Sequence, residues 1–416
     1  MNTFKKSSTS SSTDPYKYKK WMFVILGMIM FMCLGTVYSW SVFRTPIEEQ
    51  YQIDATLSGL PYLVFLLGYT ASMVITGKLI DRLNPKLMIL IGGIMVGLGW
   101  FLSGIAVSFN MIIVSYGAIS GAGVGIAYGP PIKVISSCFT KKRGVAIGLL
   151  LAGFGLSPLV TAPITKALIN HIGVNNTFKA VGIFFLIVIP LIGLYFEKPA
   201  RVTEDNNELK VDDNDTHEGS ILEVLKNAKF QGLWLCFVIG TSVGLMIIGI
   251  SSQIGEELFK IDSNTTAFLL SIFAIFNAIG RPLFGWITDR FSPFVSAMTS
   301  FILIFITAGL MYMTKDYTIF IYIIALSVLW MNLGAWLSIA PTTVAMYFGE
   351  TNYSRNYGVL FTAYGIGAVI GTPLAGYIRT QFGSYQYIFL PIMIMAIIGM
   401  FIALLTLKPK SIFKLK

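Results

Sequence analysis

Apolar runs long enough to cross a bilayer recur twelve times along this chain, and that pattern limits its fold more than any other feature. A helix needs about 20 residues to pass through the hydrocarbon layer. The runs fall at 21–43, 57–80, 87–109, 111–138, 144–169, 178–196, 229–252, 265–287, 294–313, 317–347, 357–379 and 386–407. Hydrophobic residues make up 55% of the chain and charged residues only 12%, too little polar surface for a soluble protein of this size. The three cysteines, Cys33, Cys138 and Cys236, all lie in apolar runs and form no disulfide framework. The expected fold is an all-α integral membrane protein.

Charge placement sets the expected orientation. Most of the 30 Lys and Arg residues fall in segments on one side, among them Lys17, Lys19, Lys20, Lys86, Lys141, Lys142 and Arg143, then Lys408 and Lys410. Arg44, Lys166, Lys179, Lys260, Lys315 and Arg379 fall on the other. The positive-inside rule then places both termini in the cytoplasm. A multi-pass cell-membrane protein is expected, working as a monomer. Residues 1–20 read as an N-terminal tail, 21–196 as one six-helix half and 197–228 as an acidic cytoplasmic linker. Residues 229–407 form a second half and 408–416 a C-terminal tail. The net charge of +10 reflects this bias and is no nucleic-acid patch.

The two halves share an internal repeat. Gly-Lys-Leu-Ile-Asp-Arg-Leu-Asn-Pro at 77–85 recurs as Gly-Trp-Ile-Thr-Asp-Arg-Phe-Ser-Pro at 285–293. At nearly the same spacing, 147–163 matches 357–373, pairing Gly148 with Gly358, Gly155 with Gly365 and Pro163 with Pro373. Two parallel six-helix halves with a site between them are the arrangement of an alternating-access carrier. Asp81, Arg82, Asp289 and Arg290 sit at corresponding helix ends, where carboxylates meet helix amides and neighbouring arginines. They are the expected gating residues.

Every acidic residue can be placed in a loop, a tail or at a helix end, which leaves Lys133 and Arg281 as the ionisable groups well inside apolar spans. A charge at that depth is costly and is kept mainly for function. Arg281 lies near the middle of the eighth span, where a guanidinium fork suits a carboxylate. Asn277 lies one turn earlier on the same face. Lys133 sits nearer the cytoplasmic end and either snorkels or lines the path. Tyr38, Tyr128, Trp330, Asn332, Trp336 and Tyr364 are the remaining candidate pocket residues. No metal cluster, phosphate-binding loop or triad is evident, so neither an enzyme nor a cofactor is expected.

These residues resemble the major facilitator superfamily, and within it the oxalate/formate antiporter family, related to the monocarboxylate transporters. Asp81-Arg82 and Asp289-Arg290 resemble its repeated loop motif, and Tyr38-Ser39-Trp40-Ser41-Val42-Phe43 its first helix. Ala127-Tyr128-Gly129-Pro130-Pro131-Ile132 resembles its fourth helix, Phe276-Asn277-Ala278-Ile279-Gly280-Arg281 its eighth and Asn356-Tyr357-Gly358 its eleventh. The resemblance implies a major facilitator fold of twelve transmembrane helices, with anion binding at Arg281 and a pocket role for Tyr128. Two departures bear on substrate. Tyr364 stands where the oxalate antiporter has a second basic residue, and Asn277 where animal monocarboxylate transporters carry a proton-coupling aspartate. The expected function is secondary active transport of small monocarboxylates such as lactate, pyruvate or formate, with a co-transported proton left open. The alternatives are an exchanger of oxalate or another dicarboxylate, and a non-transporting carboxylate sensor on the same scaffold.

Overall fold

Within a bilayer each backbone N–H and C=O must find its partner inside the protein, so long apolar segments become helices. The computed structural model describes residues 16–80, 83–139, 143–196, 221–315, 318–349 and 353–408, and among them every regular element is helical. The acidic segment 197–220 and two expected gating residues, Asp81 and Arg82, lie outside the described residues.

The first half comprises α1 (Tyr16–Leu34), α2 (Ser41–Tyr51), the short α3 (Ala55–Ser58), α4 (Leu60–Leu79), α5 (Pro85–Gly104), α6 (Phe109–Ile112), α7 (Gly121–Cys138) and α8 (Arg143–Gly193). A tight 3-10 stretch, Gly35–Ser39, joins α1 to α2 within one crossing. Gly35 packs against the backbone carbonyl of Phe154, an approach that leaves no room for a Cβ. A widened π-helical stretch, Ile113–Ser120, joins α6 to α7 in the same way. The second half comprises a short α9 (Ile221–Lys226), α10 (Ala228–Glu257), α11 (Ser263–Arg290), α12 (Pro293–Met313), α13 (Ile319–Phe348), α14 (Tyr353–Phe382) and α15 (Phe389–Thr406).

Among the described residues eleven helical stretches are long and apolar enough to cross a membrane, and one of them, Val145–Gly193, has 49 residues. That is twice the length one crossing needs. Non-helical backbone at Gly173 (φ 78°, ψ 166°) divides it into the fifth and sixth crossings, giving twelve. Only glycine adopts such a φ without strain. Side chains such as Ile25, Phe268, Ile306 and Phe401 face outward and exposed, as a lipid-contacting belt requires.

The halves meet through α8 with α11 and through α4 with α14. Both copies of each sequence repeat lie on or beside these four helices, so the two contacts are equivalents under the repeat. Hydrogen bonds between halves gather at the end opposite the termini. Gln253 Nε2 donates to Ser41 O (2.8 Å), Asn170 Nδ2 to Asn264 Oδ1 (2.7 Å), and Thr56 and Thr380 share a hydroxyl bond (3.0 Å). The bundle is therefore sealed at one end, which is one of the two states an alternating-access carrier must adopt.

Candidate functional site

Helix α11 places Arg281 about 14 Å along its axis from Arg290, deep in the bundle. The side chain points across the interface between halves, where Nη1 donates to the Leu151 carbonyl of α8 (2.7 Å). Its Nε is buried and has no partner among the described residues. Asn277, one turn earlier, donates from Nδ2 to the Trp330 carbonyl of α13 (3.1 Å). Its Oδ1 is likewise buried without a partner. Gly155 of α8 faces both groups: a Cβ there would lie 2.8 Å from Asn277 Oδ1 and 3.4 Å from Arg281 Nη2. The glycine leaves open the one spot where a donor and an acceptor converge.

Around this pair stands a shell of aromatic rings from both halves. The hydroxyls of Tyr38 and Tyr364 meet across the interface at 3.1 Å. Tyr128 packs on Phe31 with ring centroids 4.8 Å apart, and Tyr38 sits edge-on to Phe154 at 5.2 Å. Tyr69 touches Tyr128 at 5.5 Å and Tyr364 at 5.8 Å. The Arg281 charge acts on the hydroxyls of both Tyr38 and Tyr128. Among the described residues no carboxylate contacts Arg281. One guanidinium arm is pinned to a carbonyl, while the Nε–H and the one hydroxyl proton that the Tyr38–Tyr364 bond leaves unused remain as donors. That set matches a small carboxylate, which is acceptor-only when ionised.

The structure brings Arg281, Asn277, Tyr38, Tyr128 and Tyr364 together. The other sequence candidates lie elsewhere. Trp330 reaches the site through its backbone carbonyl, while its indole N–H donates to Ser251 Oγ (2.9 Å). Asn332 is used within the second half, accepting from Ser300 Oγ (2.7 Å) and donating to Val328 O (2.8 Å). Trp336 packs inside the same half against Gly240 and Phe301. Lys133 Nζ donates to the Ile80 carbonyl at the terminal end of α4 (2.8 Å). Asp289 and Arg290 are exposed at the end of α11.

Arg44 corrects the sequence reading, which put it outside the apolar interior. It is 1% exposed. Its Nε donates to Ser58 Oγ (2.9 Å) and its Nη1 to the Gly249 carbonyl of the other half (3.3 Å). Its Nε lies 3.7 Å from the Glu48 carboxylate, four residues on. The i, i+4 spacing was the available signal; it shows only once α2 is seen to continue past the apolar run. Tyr69, Phe154 and Gly155 also belong to the site and were not among its candidates. In a chain this aromatic, no local pattern separates them from packing residues.

The sequence profile of the Major Facilitator Superfamily matches residues 23–344 and 233–414, and the chain belongs to that family of membrane transporters. It is a multi-pass secondary transporter of small molecules. Among its relatives is the oxalate:formate antiporter of Oxalobacter formigenes, 26% identical over 366 residues, covering 88% of this chain and 86% of that one. An uncharacterized MFS-type transporter of Escherichia coli (strain K12) is 25% identical over 358 residues, covering 85% and 87%. Monocarboxylate transporter 12 of Homo sapiens is 22% identical over 375 residues, covering 84% and 72%. The fold matches a crystal structure of a bacterial homolog of the human lysosomal transporter Spinster, with TM-score 0.77 and 15% identity over 96% of this chain and 100% of that one.

Proposed function

We propose that this chain exchanges small carboxylate anions one for another, each binding in turn at Arg281. The observation that carries this reading is a guanidinium at mid-bundle with a buried, unpartnered Nε and no contacting carboxylate among the described residues. A bound anion supplies the missing negative charge. When the site is vacated, closure strands a desolvated cation, so return without cargo is slow and exchange is favoured over net flux.

The name of the Oxalobacter formigenes relative supports exchange of the oxalate and formate kind above the monocarboxylate reading that led at the sequence level. One consideration favours a singly charged cargo: Tyr364 stands where the resemblance to the oxalate antiporter puts a second basic residue, and its hydroxyl is engaged with Tyr38. Formate satisfies both considerations. The site is taken to lie in the cell membrane with both termini in the cytoplasm, as the positive-inside rule favours.

The test is flux in proteoliposomes, using labelled formate, oxalate and lactate in turn. Uptake that requires a carboxylate inside the vesicle, and ignores an imposed pH gradient, is the expected result. Equal uptake into anion-free vesicles contradicts exchange, and ligand binding with no flux under any condition favours the sensor.

A further inference from the structure

The sealed end of the bundle holds a cavity of about 500 Å³ bounded by both halves, remote from Arg281 in the fold. Thr45, Glu48 and Asp54 line it from the first half, and Gln253, Glu256 and Tyr385 from the second. Most of its charges are accounted for. Glu48 lies against Arg44 and accepts from Ser58 Oγ. Glu257 pairs with Arg379 and accepts from the Tyr385 amide (2.9 Å). Asp54 caps α3 through the Leu57 amide (2.8 Å). Glu256 is the exception: it accepts only two long hydroxyl bonds, from Thr45 (3.3 Å) and Thr266 (3.4 Å), and among the described residues no Lys or Arg reaches ion-pair distance, Lys166 acting on it only from farther off.

A second, independent observation marks the same spot. Gln253 is 6% exposed, and its Nε2 is committed to Ser41 O and Thr45 Oγ1. Its Oε1 is buried with no partner among the described residues. Gln253 and Glu256 lie one turn apart on α10, so an unpartnered amide oxygen and an under-compensated carboxylate share one face. A buried acceptor left without a donor or cation is destabilising. Glu48 and Glu256 also come from opposite halves, and Glu48 repels Glu256, though more weakly than Lys166 of the first half attracts it. Closing this end brings them together; opening it parts them.

We propose that this vestibule binds a monovalent metal cation between Gln253 Oε1 and the Glu256 carboxylate, and that the bound ion favours closure of this end. The donors are all hard oxygens, which suit an alkali-metal ion and not a soft one. Glu256 supplies the site's one uncancelled negative charge beside a neutral amide oxygen, and a singly charged ion balances it. Neutralising Glu256 offsets its repulsion with Glu48 across the seam, and the amide oxygen gains its partner. The ion sets the gate and is not the cargo, so it works alongside anion exchange.

This inference rests on the transport reading for its effect on rate but not for its binding. Two readouts therefore separate them. In the first, Na⁺ and K⁺ are replaced by N-methyl-D-glucamine at fixed pH and ionic strength, and the thermal midpoint of the purified protein is measured. Wild type should be stabilised by Na⁺ or K⁺, and Glu256→Gln and Gln253→Leu should lose that shift. In the second, exchange of labelled formate is followed under the same ion replacement. The wild-type rate should fall about fivefold, the low end of coupling between two sites, and Glu256→Gln should become insensitive. An unchanged wild-type midpoint, or a shift in both variants as large as the wild-type one, overturns the cation site. Ion-dependent stability without exchange under any condition would instead overturn the transport reading.

Discussion

At Gly155 the site's geometry depends on a missing methyl group. A Cβ there would lie 2.8 Å from Asn277 Oδ1 and 3.4 Å from Arg281 Nη2, so Asn277, tied by its bond to the Trp330 carbonyl, would have to shift. Overpacking of this kind costs about 1–3 kcal/mol. Gly155→Ala should therefore slow carboxylate exchange by about tenfold while the protein still folds and inserts. Gly148→Ala is the matched control, because nothing lies within 4 Å of a Cβ there. Equal activity of the two variants, measured as initial exchange rate per inserted protein, would remove Gly155 from the site. The internal repeat picks out both glycines, each with its counterpart in the second half, and cannot rank them. Arg281 was legible because an unpaired charge in an apolar run stands out against its neighbours. Gly155 was not, because a glycine's importance lies in what packs against it. Arg44 was missed for a related reason: its neighbour Glu48 made it look like ordinary charge at a helix end.

The helices themselves were largely legible, since length and apolarity are both properties of the local chain. What the pattern does not carry is where an axis bends. The crossing formed by α1 and α2 tightens at Gly35–Ser39, and α8 turns sharply at the single residue Gly173, inside the break the sequence implied between 169 and 178. Both follow from backbone geometry set by neighbours, which hydropathy does not record. Helix starts are better marked. Asp262 accepts from the amides of Asn264 (3.1 Å) and Thr265 (3.0 Å), capping α11, the helix that carries Arg281. Bonds from the Thr265 side chain and these amides hold its carboxyl below the ordinary value of 3.8. A depressed folded pKa means that this stabilisation is present above the ordinary value and is lost as pH falls through the lowered one. The stability gap between wild type and Asp262→Ala should thus be constant near neutral pH and shrink in strong acid. Thermal melts across that range check it; a gap that widens on acidification would contradict the capping role.

For the whole molecule, the repeat matters because it names the helices that touch. The equivalent contacts of α8 with α11 and α4 with α14 let the halves rock about the site, as alternating access requires. Rocking must break the bond between Asn170 and Asn264 at the sealed end. In a Cys138→Ser background, a short cross-linker joining Asn170→Cys to Asn264→Cys should arrest exchange, and a cleavable linker should restore it on reduction. Full activity of the cross-linked protein would show that this end does not open. The central claim is that Arg281 holds the transported carboxylate, and exchange of labelled formate by Arg281→Ala and Arg281→Lys tests it most directly. The account predicts no exchange by the alanine variant and a severe loss in lysine, which keeps the charge but not the fork, with both variants inserted at wild-type levels. Near-normal exchange by Arg281→Ala would contradict it.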